Sequence, residues 1–301
     1  MLRALSARIA LLLFALSVPA ASQAQQRLKV FISVDMEGIA GVVTNEQLSP
    51  AGFEYQRFRE FMTAEALAAI EGAKAAGATD IMVADSHGNM QNLLIEKLPS
   101  DVVLVRGPVR PLGMMQGIDS TFHAVVFIGY HSATTNLNGV RAHTFSSARY
   151  TSVEVNGSPM AESSFNAALA GYYGVPVVAI SGDETAVAEL LAIAPRAAPA
   201  VVKQSIGFHA AATRTPAAAQ AMIREAVRAG VARRAEIAPY KLQAPHRLDL
   251  GFKSYRAPEL LAYLPSVQRT TAHSIRYQGS SILDIARFLS FIGAYSPEID
   301  P

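Results

Sequence analysis

Three features of the chain predict an α/β fold, with a mostly parallel sheet and helices on both of its faces. Short apolar runs rich in β-branched residues recur at intervals, segments with apolar residues three and four apart lie between them, and glycines stand where those segments run out. The first run, residues 28–34 (Leu-Lys-Val-Phe-Ile-Ser-Val), has the length and composition of a buried strand. Residues 53–76 follow as a helix, with Phe58, Phe61, Met62, Ala66, Ala69, Ile70 and Ala73 on its apolar stripe and Gly77 as the stop. Residues 80–84, 102–105 and 124–128 are further strands. A helix over 161–173, closed by Gly174, leads into another strand over 175–180.

Residues 194–199, Ala-Pro-Arg-Ala-Ala-Pro, interrupt the pattern and are the best candidate for a domain boundary. They divide a larger α/β domain over 25–199 from residues 200–301, a smaller C-terminal α/β domain or an extension of the first. In the latter, a long helix (216–234), a strand (248–252), a short helix (258–263), a second strand (274–277) and a last helix (281–291) keep alternating.

Residues 1–24 stand apart from both. Arg3 and Arg8 precede an apolar run over 9–20, and Ser22-Gln23-Ala24 supplies a small-x-small cleavage site, so this segment has the pattern of a secretory signal peptide. The run is well short of the ~20 residues a membrane-spanning helix needs. The expected mature chain is therefore exported, to the periplasm or the medium. It has 277 residues with 24 basic and 24 acidic side chains. That balance, with no Lys/Arg cluster, argues against a nucleic-acid partner. The absence of cysteine removes disulfides, a thiolate nucleophile and any Cys-ligated metal, so a metal here must be held by His, Asp and Glu.

Ligands of open parallel sheets bind beyond the carboxyl ends of the strands, and the polar residues at those ends converge. The first strand runs into Asp35-Met36-Glu37-Gly38, the second into Asp85-Ser86-His87 and the fourth into Gly129-Tyr130-His131. Residues i and i+2 of an extended segment point the same way, so Asp35 and Glu37 aim two carboxylates into one space. Packed carboxylates repel unless a cation or a shared proton relieves them. With His87 and His131 beside them, the set favours a borderline ion such as Zn²⁺ over Mg²⁺ or Ca²⁺. Four groups exceed the three ligands of a usual catalytic zinc, which raises the possibility of two ions sharing a carboxylate. Asp85 is better explained as a turn or cap residue. His143, twelve residues beyond His131 across a polar loop, could act as an acid, a base or an electrostatic stabiliser, or could be a surface histidine. Glu162, in the first turn of its helix, complements the helix dipole on these grounds alone. Asp183 is read as a helix N-cap, and His123 as structural. His209, His246 and His273 are assigned to surface or turn roles, and Lys203 could reach the site or a subunit contact but is given no role.

Val34-Asp-Met-Glu-Gly-Ile-Ala-Gly41, Asp85-Ser-His-Gly-Asn-Met90, Gly129-Tyr-His131 followed by His143-Thr144, and Glu162 with Asn166 and Gly171-Tyr-Tyr173 resemble, in this order and spacing, the DppA-type zinc D-aminopeptidases. The resemblance implies a dinuclear zinc site, two Zn²⁺ per chain, held by Asp35, Glu37, His87, His131 and Glu162. It makes Asp35 the expected bridge, promotes Glu162 from dipole partner to ligand, and gives His143 the catalytic role of nucleophile or general base. It also implies a peptide substrate with an N-terminal D-residue and self-association as a homodecamer. Two other functions stay open: a metalloaminopeptidase or amidase for L-peptides or another amide, and an exported metal- or peptide-binding protein without turnover.

Overall fold

The computed structural model describes residues 27–295, so the leader expected over 1–24 lies outside the described residues. The chain runs through β1 (Lys29–Val34), α1 (Asn45–Leu48), α2 (Tyr55–Ala75), β2 (Asp80–Asp85), β3 (Val102–Val105), β4 (Ala124–Tyr130), β5 (Tyr150–Val155) and β6 (Ser158–Pro159). It continues through α3 (Glu162–Tyr172), β7 (Val177–Asp183), α4 (Glu184–Leu191), β8 (Ala198–Gly207), β9 (Ala210–Thr213) and α5 (Pro216–Ala232). It ends in β10 (His246–Phe252), α6 (Arg256–Leu261), β11 (Val267–Thr271), β12 (Ser274–Gly279) and α7 (Ile282–Ala294).

A seven-stranded sheet in the order β3-β2-β1-β4-β7-β8-β9 forms the centre. All its pairings are parallel except β8 with β9. The apolar character of β1 follows from burial on both faces. Val30, Ile32 and Val34 pack toward α2 and α5, while Phe31 joins the core on the opposite side with Phe127. That second core is closed by α3, by α7, and by a five-stranded sheet in the order β11-β12-β10-β5-β6, antiparallel in all its pairings. The helix stop expected at Gly77 is a Schellman turn. Gly77 takes φ +93°, its N–H donates to Lys74 O (2.9 Å), and the Ala78 N–H donates to Ala73 O (3.0 Å). Among the described residues, no helix is long and apolar enough to cross a membrane.

The boundary expected near residue 199 falls at a point where the central sheet continues. Pro199 lies inside β8, paired with Ile180 of β7, and the central sheet runs on past it to Thr213. Conversely, β5 and β6, from residues 150–159, leave the first half of the chain to pair with β10. The two sheets share one apolar core in which Phe127 and Leu250 both sit. The segment with Pro195 and Pro199 is the entry to β8. β5 and β8 went unrecognised because neither reads as a clean run: Thr151, Ser152 and Glu154 interrupt β5, and Lys203, Gln204 and Ser205 interrupt β8.

The strand order reverses beside β1. The chain moves outward from β1 to β2 and β3, then returns to lay β4 on the other flank. The loops leaving the carboxyl ends of β1 and β4 therefore part around a crevice, the position where open sheets bind ligands. They also touch. The Gly38 N–H donates to Gly129 O (2.7 Å), and a Cβ placed on Gly38 would sit 2.0 Å from Tyr130 O, so only glycine permits this approach.

Candidate metal centre

Each functional side chain reaches the crevice by a different backbone device. Asp35 follows β1 directly, its N–H donating to Ile128 O of β4 (2.8 Å), and Glu37 comes two residues later. His87 is carried by the turn after β2. The buried Asp85 carboxylate shapes that turn by accepting from the N–H groups of Asn92 (2.6 Å) and Leu93 (2.7 Å) and from Asn92 Nδ2 (2.8 Å). Asn92 Nδ2 also donates to His87 O (2.7 Å), so the turn role expected of Asp85 serves the histidine. His131 follows β4 directly. Glu162 opens α3, and its Oε1 accepts the N–H of Phe145 (2.6 Å).

The structure brings all six candidate residues together. His87 Nδ1 lies 2.8 Å from Glu37 Oε2 and 3.4 Å from Asp35 Oδ1. His131 Nε2 lies 3.3 Å from Asp35 Oδ2 and 3.4 Å from Glu162 Oε2. His143 Nε2 stands 3.9 Å from both Glu37 Oε1 and Glu162 Oε1, and its ring stacks on that of His131 at 4.0 Å. Asp35, Glu37, His87, His131 and Glu162 are all buried, and His143 is half-buried.

The donor set fits divalent ions on two independent observations. Each histidine spends one ring nitrogen on a backbone carbonyl and turns the other into the site: Nε2 of His87 donates to Leu48 O (3.0 Å), Nδ1 of His131 to Ser132 O (3.1 Å), and Nδ1 of His143 to Arg141 O (2.8 Å). That outer hydrogen bond is the usual way a metal-ligating imidazole is oriented. Second, Asp35 Oδ2 and His131 Nε2 are buried without a hydrogen-bond partner, which is costly unless something else satisfies them. Two groups of possible ligands, Asp35–Glu37–His87 and Asp35–His131–Glu162, each have their ligand atoms within 4.8 Å of one another and share Asp35. A third group, Glu37–His131–His143, meets the same criterion.

Without metal, the cluster holds protons instead. Burial alone would drive the proton off His87 and His131, yet Glu37 and Asp35 around the first, and Glu162 and Asp35 around the second, raise both well above the ordinary imidazole range. Burial and the charge of Glu37 push Asp35 up to about 6. Burial also opposes ionisation of Glu37 and Glu162, but the histidines beside them outweigh it and hold both low. His143 goes the other way: burial and the neighbouring His131 charge lower it, which leaves a neutral imidazole.

The site opens into a cavity of about 400 Å³. Leu112, Met114, Phe165 and Leu289 contribute apolar wall, Asn166 adds an amide, and Arg149 stands at the exposed side. The last helix therefore borders the site, a role no local feature of residues 281–291 indicated. Lys203, left without an assigned role above, and Glu65, which the sequence did not single out, both lie against the loop that carries Glu37. Both are buried: Lys203 Nζ donates to Val42 O (2.7 Å), Ile39 O (3.2 Å) and Glu37 O, and Glu65 Oε1 accepts the Ala40 N–H (3.0 Å). A signal existed for each, since Lys203 follows Val201-Val202 in a strand and Glu65 shares the helical stripe of Met62, Ala66 and Ala69. Of the remaining candidates, Asp183 caps α4 by accepting from the N–H groups of Thr185 and Ala186 (3.0 and 2.9 Å). His123 Nδ1 accepts the Lys29 N–H at the opposite end of β1 (3.1 Å). His209 and His273 lie in exposed turns, and His246 begins β10.

Three comparisons bear on this arrangement. The family model described as Peptidase_M55, D-aminopeptidase, matches residues 28–291. A D-aminopeptidase of Bacillus subtilis (strain 168) is 33% identical over 262 residues, which cover 85% of this chain and 93% of that protein. The solved structure of a Zn-dependent D-aminopeptidase, DppA from Bacillus subtilis, described as a self-compartmentalizing protease, superposes with a TM-score of 0.84 at 30% identity, covering 91% of this chain and all of the other. The chain belongs to the peptidase M55 family of D-aminopeptidases.

Proposed function

We infer that this protein is a zinc-dependent aminopeptidase that hydrolyses the peptide bond after an N-terminal D-amino acid, with Asp35, Glu37, His87, His131 and Glu162 holding two ions and Asp35 shared between them. The observation that carries it is the pair of three-ligand groups meeting at Asp35, in a chain whose family and nearly full-length structural relative are D-aminopeptidases. Bound zinc supplies Lewis acidity toward a peptide carbonyl and lowers the pKa of water to near neutrality. The chain's own groups do the rest. The five ligands fix where the reacting bond can lie, and the apolar walls limit the water around it. His143 presents a neutral Nε2 to the cavity while Arg141 O holds its Nδ1–H, so Nε2 can accept a proton and release it to the leaving amine.

Self-association is part of the same proposal, supported by the self-compartmentalizing relative, and the homodecamer is its specific form. So is export of the mature chain, supported by the pattern of residues 1–24. Sedimentation equilibrium of the purified protein reads the copy number, and N-terminal sequencing of the protein from its host reads the cleavage point. A monomer, or an intact leader, sinks the corresponding part.

The deciding assay is hydrolysis of D-Ala-D-Ala and L-Ala-L-Ala by the mature protein, with metal content measured on the same sample. Turnover of the D-peptide alone, with about two zincs per chain, is the expected result. Turnover of the L-peptide moves the activity to the L-aminopeptidase alternative, and zinc without turnover of either moves it to a binding role. His143→Ala should lower kcat by about 10²–10⁴-fold with zinc content unchanged; loss of zinc would make His143 a ligand instead. Zinc binding must displace the protons that Glu37, Asp35 and Glu162 hold on His87 and His131. Zinc affinity, read by chelator competition, should therefore fall as the pH is lowered, with the fall beginning above the ordinary imidazole range, and a flat profile would contradict the ligand assignment.

A further inference from the structure

Lys203 is the one lysine in the described chain that is fully buried among large side chains of the core, and among the described residues no carboxylate lies within salt-bridge distance of its ammonium. An ammonium has three donors and no acceptor, and all three are used. Nζ donates to the main-chain carbonyls of Glu37, Ile39 and Val42, residues more than 160 positions away in sequence. Those carbonyls belong to the loop that leaves β1 and carries Asp35 and Glu37. Glu65 of α2 engages the same loop with the opposite polarity, accepting the Ala40 N–H that lies between them. On its other side the loop is pressed onto β4 at Gly38. Burying a charge is expensive unless its hydrogen bonds are made, and a surface strand position would have spared that cost. The expense is incurred where it turns three carbonyls of the loop inward.

We propose that Lys203 is a positioning residue for the metal centre: its three bonds to the 37–42 loop, opposed by Glu65 on Ala40, fix the backbone from which Asp35 and Glu37 present their carboxylates to both ions. The inference rests on the proposed two-ion assignment. It separates Lys203 from the ligands themselves, since its ammonium bonds only main-chain carbonyls of the loop. It also separates Lys203 from ordinary core residues of β8 such as Val202, whose side chain packs among the helices α2 and α5.

The test compares Lys203→Met, Lys203→Gln and Val202→Ala with the wild-type full chain, using zinc itself as the probe. Zinc affinity is measured by competition with a chromogenic chelator, and amide hydrogen exchange over residues 36–42 is followed in the metal-free proteins. Loss of an outer partner of a metal ligand typically costs about 10–100-fold in affinity, so Lys203→Met should weaken zinc binding by at least about tenfold and speed exchange across the loop. Lys203→Gln, which keeps two donors, should fall between it and wild type. Val202→Ala should lower the melting temperature while leaving zinc affinity and loop exchange at wild-type values. Wild-type zinc affinity in a folded Lys203→Met, or in a folded Lys203→Gln if the methionine variant is insoluble, overturns the proposal. Insolubility of both assigns Lys203 to folding and overturns it too. A wild-type protein that binds no zinc overturns the two-ion assignment, whereas normal zinc binding by wild type and variants alike removes only the role of Lys203.

Discussion

Three carboxylates buried within a few ångströms of one another are the constraint around which this molecule is built. Asp35, Glu37 and Glu162 cannot all be ionised in an apolar crevice without compensating positive charge. The structure provides for it at several levels. His87 and His131 stand against the carboxylates and take up protons when no ion is bound. Lys203 lies beneath the loop that carries two of them. The backbone N–H groups of Met36 and Phe145 each donate to one carboxylate, Asp35 Oδ1 and Glu162 Oε1. Asp35 Oδ2 and His131 Nε2, each buried without a hydrogen-bond partner, face one another there at 3.3 Å.

Such a cluster survives only if the scaffold prevents it from relaxing apart. The five candidate ligands come from four segments: the ends of β1, β2 and β4, and the first turn of α3. Three of those segments are adjacent in one parallel sheet, and the crossing at Gly38 locks the first against the third. Beneath the crevice runs a chain of buried polar groups. Asn166 Nδ2 donates to Tyr130 Oη (2.9 Å), Tyr130 Oη donates to Ser33 Oγ (2.7 Å), and Ser33 Oγ lies 2.8 Å from Ser86 Oγ. It ties α3, β4, β1 and the β2 turn together directly under the ligands they carry. Fully partnered buried networks of this kind favour one arrangement over its alternatives.

Much of this was legible in the chain alone. β1 to β4, β7, α2, α3 and α5 followed from apolar composition and periodicity, because composition follows burial. Asp35, Glu37, His87 and His131 could be gathered from the polar residues that succeed each strand, since parallel strands deliver their ends to one edge whatever the details of packing. Glu162 and His143 were different. On local grounds Glu162 suits a helix dipole and His143 a surface loop equally well, and only the likeness of whole motifs drew them into the site. Near residue 199, proline and alanine mark an irregular backbone without saying which sheet the next strand will join.

By itself, then, the sequence determined the α/β class, five strands of the central sheet (β1 to β4 and β7) and the chemistry gathered at the ends of β1, β2 and β4, because periodicity and strand-end residues are local properties that act before any long-range contact forms. Only the tertiary structure decided the rest. It folded residues 150–159 onto β10, brought α7 to the rim of the cavity, and placed Lys203 and Glu65 on the two polarities of one loop. Those placements depend on contacts between segments far apart in the chain, where the gain comes from satisfying buried charge and closing a shared core, and no neighbouring residue records it.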